Sequence, residues 1–133
     1  MMFLIKILEK HNKLSWFFVI LIAGIVFYFS SLTFAYGSKA MGFESIIYHI
    51  VIFFLLAIFL LTALINGKIN KRDFIFIAII IALVYALFDE FHQLFVSGRS
   101  CSFSDFLLDS AGILFATFIY ILSLKFRKIT AQL

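Results

Sequence analysis

Residues 74–96 read FIFIAIIIALVYALFDEFHQLFV. No charge interrupts the run from Phe74 to Phe88, and Asp89 and Glu90 then follow inside the same apolar stretch. At ~1.5 Å per residue, a helix of this length crosses the ~30 Å hydrocarbon core of a bilayer. Backbone in lipid must satisfy its own hydrogen bonds, so such a segment is helical. Three more runs share this character, at 16–32, 46–65 and 103–124.

The rest of the composition agrees. The chain has 133 residues, of which 65% are apolar and 14% charged. Soluble domains carry about 45–50% apolar and about 25% charged residues. A soluble domain this small buries only about two-thirds of its surface and could not hide so much hydrocarbon. A soluble monomer, a disordered tail and a disulfide scaffold are excluded; the one cysteine, Cys101, has no intrachain partner. The prediction is an all-α four-transmembrane-helix bundle forming a single membrane domain over 1–133.

Ahead of the first span, Phe3, Leu4, Ile7 and Leu8 recur at helical spacing, with Lys6, Glu9, Lys10 and Lys13 off that stripe. This pattern predicts a short N-terminal amphipathic helix on the membrane surface. The first span is too long for a signal-peptide core, and only Thr33 and Ala35 offer small residues for cleavage, so it reads as a retained span.

Basic residues set the expected orientation. Lys6, Lys10 and Lys13 precede span one; Lys68, Lys71 and Arg72 join spans two and three; Lys125, Arg127 and Lys128 follow span four. The other two connections hold only Lys39 and Arg99. Nine against two predicts a multi-pass protein of the cytoplasmic (plasma) membrane with both termini inside. The net charge of +4 then reflects topology and lipid contact, and nucleic acid is not expected as a partner.

The acids cluster. Four of the seven, Asp89, Glu90, Asp105 and Asp109, flank the outer connection between spans three and four. Ionisable groups at membrane depth are costly and mark sites by default. Asp89 lies fifteen residues past Phe74, about 22 Å along the helix and so ~8 Å below the outer edge. Asp109, six residues into span four, lies ~9 Å deep, at matching height on an antiparallel neighbour.

Asp89, Glu90 and Gln93 share a broad helical face. Asp105, Asp109, Gly112 and Ala116 form another stripe, whose small residues admit a close neighbour. His49, near the outer start of span two, and Ser30 and Ser31, at the outer end of span one, complete the set. The polar residues at membrane depth thus fall in the outer half and predict a cleft opening outward.

This cleft admits several chemistries. Asp89, Glu90 and Asp109 are candidates for general acid–base catalysis. Ser31, His49, Asp89, Glu90, Gln93, Arg99, Asp105 and Asp109 are candidates for binding a substrate. Arg99, just after Gly98, can fold back onto the carboxylates. His49, Glu90, His92, Asp105 and Asp109 are metal-ligand types, but no helix carries a tight two-His motif, so no metal site is expected, and no cofactor motif is present. None of the serines sits in a nucleophile elbow. The competing structural reading is a network of Asp89, Gln93 and Arg99 that only pins the outer loop.

The run Asp89-Glu90…Gln93…Gly98-Arg99…Asp105…Asp109…Gly112 resembles the VanZ-like family, which also carries an early His in its second helix, here His49, and a Ser pair ending its first, here Ser30 and Ser31. Ser97 stands where the family usually has Pro, and Ile46 where a base often precedes the His. The resemblance implies a small integral membrane protein of the cell envelope, linked in some members to resistance against teicoplanin-type lipoglycopeptides. Three functions follow as expectations. The first is an outward cleft that binds a lipid headgroup, a lipoglycopeptide or a cell-wall precursor. The second is a membrane-embedded hydrolase or transferase acting on a lipid-linked substrate. The third, a proton-linked transporter, ranks last because the inner halves of the spans are nearly free of polar groups.

Overall fold

The computed structural model describes residues 2–33, 42–66 and 73–130. Five α-helices follow one another: α1 (Met2–Lys10), α2 (Asn12–Ser30), α3 (Phe43–Ile65), α4 (Asp73–Gln93) and α5 (Phe103–Thr130). There is no strand among the described residues, and α2 to α5 are each long and apolar enough to cross a membrane. Lys39, Lys68, Lys71, Arg72 and Ala35, which entered the topology and cleavage readings, lie outside the described residues.

Several helix ends differ from the apolar runs; α2 and α3 begin earlier, at Asn12 and Phe43, and α2 ends at Ser30. Helix α4 stops at Gln93 rather than continuing to residue 96. Arg99 N–H bonds to the Val96 carbonyl at 3.1 Å, and Gly98 sits between them at φ 80°. That positive φ suits glycine and closes the turn that sends the chain back. Helix α5 runs on to Thr130, well past its apolar run, because its polar end has a partner in α1.

Helix α3 is the centre of the bundle and touches all four other helices. It contributes Phe53, Leu56, Ala57, Leu60 and Leu61 to the core. Helix α5 packs against it through Gly112: a Cβ there would collide with the Ile50 carbonyl oxygen and come within 3.1 Å of Phe54 N. The small-residue stripe thus performs the close approach the sequence predicts. Helix α4 turns its own small stripe, Ala78, Ala82 and Ala86, inward, and Asp89, Glu90 and Gln93 continue that buried face. Its other face leaves Phe76, Ile80, Val84 and Phe88 exposed, as a lipid-facing surface requires.

Helices α2 and α4 are joined by Tyr85, whose hydroxyl donates to the Ala23 carbonyl at 2.6 Å. Tyr85→Phe removes only that bond, and an unfolding curve in detergent is expected to show a loss of about 1 kcal/mol.

Helix α1 departs from the sequence pattern at Glu9. That carboxylate is buried, not on an outer polar face. It accepts Arg127 Nη1 at 2.5 Å and Nη2 at 3.1 Å, and the Tyr120 hydroxyl at 2.8 Å. Ile5, one turn earlier, is buried beside it, whereas Leu4 and Ile7 are exposed. The buried edge of α1 is therefore Ile5–Glu9, because an ion pair with the far end of α5 outweighs the apolar periodicity of nine residues.

Candidate functional site

Each helix end arrives at the acidic end of the bundle with a local reason. Ser102 caps α5: its hydroxyl accepts the Asp105 N–H at 3.3 Å. The Ser102 N–H donates to Glu90 Oε2 at 2.6 Å, which ties the start of α5 to α4. From α3, His49 enters as a buried side chain, and its Nδ1 lies 2.8 Å from Asp109 Oδ1 on α5. His49 Nε2 lies 3.9 Å from Asp105 Oδ2. On α4, Gln93 Nε2 donates to Asp89 Oδ2 at 3.1 Å.

Helices α3, α4 and α5 thus bring His49, Asp89, Glu90, Gln93, Asp105 and Asp109 into one neighbourhood. All but Asp105 are buried, and Asp109 has no exposed surface at all, at 0%. Asp109 is held there by the Gly112 contact one turn further on, which brings its helix against α3. Three carboxylate oxygens in this cluster are buried without a hydrogen-bond partner among the described residues: Glu90 Oε1, Asp105 Oδ1 and Asp109 Oδ2. Ligand atoms of His49, Glu90 and Asp109 lie within 4.8 Å of one another.

Beside the cluster opens a cleft of about 240 Å³, walled by Ser30, Tyr48, His49, Asp89, Gln93 and Arg99. Arg99 makes contacts that the sequence did not suggest: its Nη2 donates to Phe29 O at 2.6 Å and its Nε to Leu32 O at 3.2 Å. These are carbonyls at the C-terminal end of α2, where a cation also meets the negative end of the helix dipole. The arginine binds the first helix to the turn after the third and still faces the cleft.

Ser31 is not part of this wall. Its hydroxyl donates to Phe27 O at 2.7 Å, and its Oγ lies within hydrogen-bond distance, 3.0 Å, of His92 Nε2. The His92 ring also stacks on Phe27 with centroids 4.6 Å apart. His92 and Ser31 pack the α2–α4 seam, while Ser30, one residue earlier, faces the cleft. Sequence reasoning also missed Tyr48, whose hydroxyl is buried without a partner among the described residues. Its position one residue before His49 is the only signal the sequence offers. Cys101 is exposed in the turn, and desolvation and the nearby Glu90 carboxylate push its thiol pKa up, which weakens it as a nucleophile.

Four apolar helices and a buried acid–imidazole cluster at one end define a multi-pass helical membrane protein. Residues 11–124 match the VanZ/LLP1 family model, and the chain belongs to that family. No curated protein and no solved structure matches it significantly.

Proposed function

We propose that the protein lies in the plasma membrane with both termini in the cytoplasm. Its cleft then opens outward and binds the polar head of an acyl-anchored ligand: a lipid headgroup, a lipoglycopeptide or a cell-wall precursor. What carries the reading is the cleft itself. It sets Arg99 across from Asp89 and His49, so one molecule with both acidic and basic groups finds partners on both walls. Exposed Phe43, Phe95 and Phe103 lie at the helix ends on the same side, where they give an acyl chain an apolar approach. The exposed Leu4 and Ile7 of α1 dip into the inner leaflet, with Lys6 and Lys10 at the headgroups. Binding of teicoplanin-type drugs at this cleft is how the protein contributes to resistance.

The test is binding of fluorescent teicoplanin and of labelled lipid-linked precursors to the protein in nanodiscs. Arg99→Ala is expected to weaken binding at least about tenfold, since a charge-assisted pair is worth about 1.5–3 kcal/mol. Asp89→Asn is expected to do the same for ligands carrying an amine. Wild-type affinity in both variants, with unchanged melting temperatures, removes the cleft from the function.

The His49–Asp109 pair favours a second reading, a hydrolase or transferase acting on a lipid-linked substrate. A carboxylate that fixes one ring nitrogen leaves the other for acid–base work. Turnover of labelled lipid-linked sugars or phospholipids by purified protein, lost in His49→Gln, supports it; no turnover across that panel rejects it.

A further inference from the structure

We propose that His49, Glu90 and Asp109 bind a divalent first-row transition-metal ion, of which Zn²⁺ and Mn²⁺ are the probes. This inference does not rest on the headgroup reading. It rests on donor chemistry. One imidazole and two carboxylates converge from α3, α4 and α5, each buried, with ligand atoms within 4.8 Å of one another. Metal–ligand bonds of about 2.1 Å require donors at most about 4.2 Å apart, so small side-chain rotations suffice. His49 Nδ1 and Asp109 Oδ1 are 2.8 Å apart and share a hydrogen bond, whose proton leaves to solvent when an ion takes its place. Two donors at that spacing subtend roughly 85° at an ion bonded at about 2.1 Å to each, close to the right angle of adjacent octahedral positions.

The unpartnered oxygens point the same way. Glu90 Oε1 and Asp109 Oδ2 are buried, acceptor-only when ionised, and have no hydrogen-bond partner among the described residues. Glu90 is 1% and Asp109 0% exposed, so bulk water does not compensate them. A cation bonded to Glu90 Oε1 and, through both oxygens, to Asp109 satisfies both at once and offsets the two anionic charges with its own. A supporting contact is already in place: the Ser102 N–H holds the other oxygen of Glu90. No two of the three ligands lie on the same helix, so spacing along the chain could not single them out. The imidazole selects transition metals over Mg²⁺ or Ca²⁺, which take oxygen ligands.

The experiment uses full-length protein in nanodiscs, stripped with EDTA and titrated separately with Mn²⁺, Zn²⁺ and Mg²⁺. Equilibrium dialysis with elemental analysis is expected to find one Mn²⁺ or Zn²⁺ per chain. Electron paramagnetic resonance of the Mn²⁺ form is expected to show coupling to one imidazole nitrogen, absent in His49→Gln. Glu90→Gln and Asp109→Asn are each expected to weaken binding at least about tenfold. Asp73→Asn, an exposed acid at the other end of α4, keeps wild-type affinity. Because Asp109→Asn can disturb folding, Glu90→Gln is the deciding variant: it keeps the oxygen that accepts Ser102 N–H, and its metal-free melting temperature reports its fold. Substoichiometric metal, a preference for Mg²⁺, no nitrogen coupling, or unchanged affinity in folded Glu90→Gln overturns the site. Headgroup binding by stripped, metal-free protein with no ion bound rejects this site alone; ion binding without headgroup binding rejects the cleft reading alone.

Discussion

Gly112→Val is expected to leave almost no folded protein. The first added atom would overlap the Ile50 carbonyl oxygen and crowd Phe54 N, both backbone atoms that no rotamer change can move aside. Even Gly112→Ala is expected to cost more than about 2 kcal/mol. Alanine gains at most about 1 kcal/mol of helix propensity over glycine. Forcing two packed backbones apart costs about 1–3 kcal/mol and at times more, and the branched valine adds further overlap. Gly24 supplies the contrast, because a Cβ there meets nothing within 4 Å. Gly24→Ala should therefore melt at or slightly above the wild-type temperature. Parallel thermal unfolding in detergent, read by size-exclusion chromatography, decides the matter. A wild-type melting curve for Gly112→Ala contradicts the α3–α5 packing. The same contact seats Asp109 against His49, so the alanine variant should lose ligand binding before it loses its fold.

Arg127→Met should be the most damaging change at the opposite end of the bundle. It strands Glu9, a carboxylate only 8% exposed, with the Tyr120 hydroxyl as its remaining partner of those described above. Removing one member of a buried ion pair costs about 3–5 kcal/mol. Arg127 is itself partly open, with a side chain 18% exposed, which places the expected loss near the lower figure. Replacing both partners is expected to be far milder, since apolar side chains in such sites are often neutral or better. Glu9→Met combined with Arg127→Met should thus recover most of the stability that Arg127→Met loses. A double-mutant cycle on unfolding free energies measures this. Additive losses at the two positions rule out the coupling.

What could be read from the chain followed the reach of each signal. Apolar run length located the four spans, because the bilayer imposes one thickness on every crossing segment. Spacing within a helix placed Asp89 with Gln93 and Asp109 with Gly112 on common faces, because a helix fixes those angles whatever surrounds it. Relations between helices were harder. Nothing in the Ser30-Ser31 pair says which hydroxyl faces the cleft, since that depends on how α2 is rotated against α4. Arg99 has carboxylates and helix-end carbonyls within reach, and only the path of the turn assigns it Phe29 and Leu32. Glu9 looked like a surface charge because its partner lies at the far end of the chain. His49, Glu90 and Asp109 were legible as ligand types among five candidates, but which three converge was not, because they come from three helices.

The bond between Glu9 and Arg127 joins residues 118 apart in a chain of 133. Ribosomes add about 5–20 residues per second, so the N-terminal segment waits on the order of ten seconds for its counterpart. During that interval the nascent α1 has no guanidinium to neutralise Glu9, and contact with water or lipid headgroups must suffice. The pair can therefore close only once Arg127 has been made, and until then α1 is held by its contacts with α2 and α3.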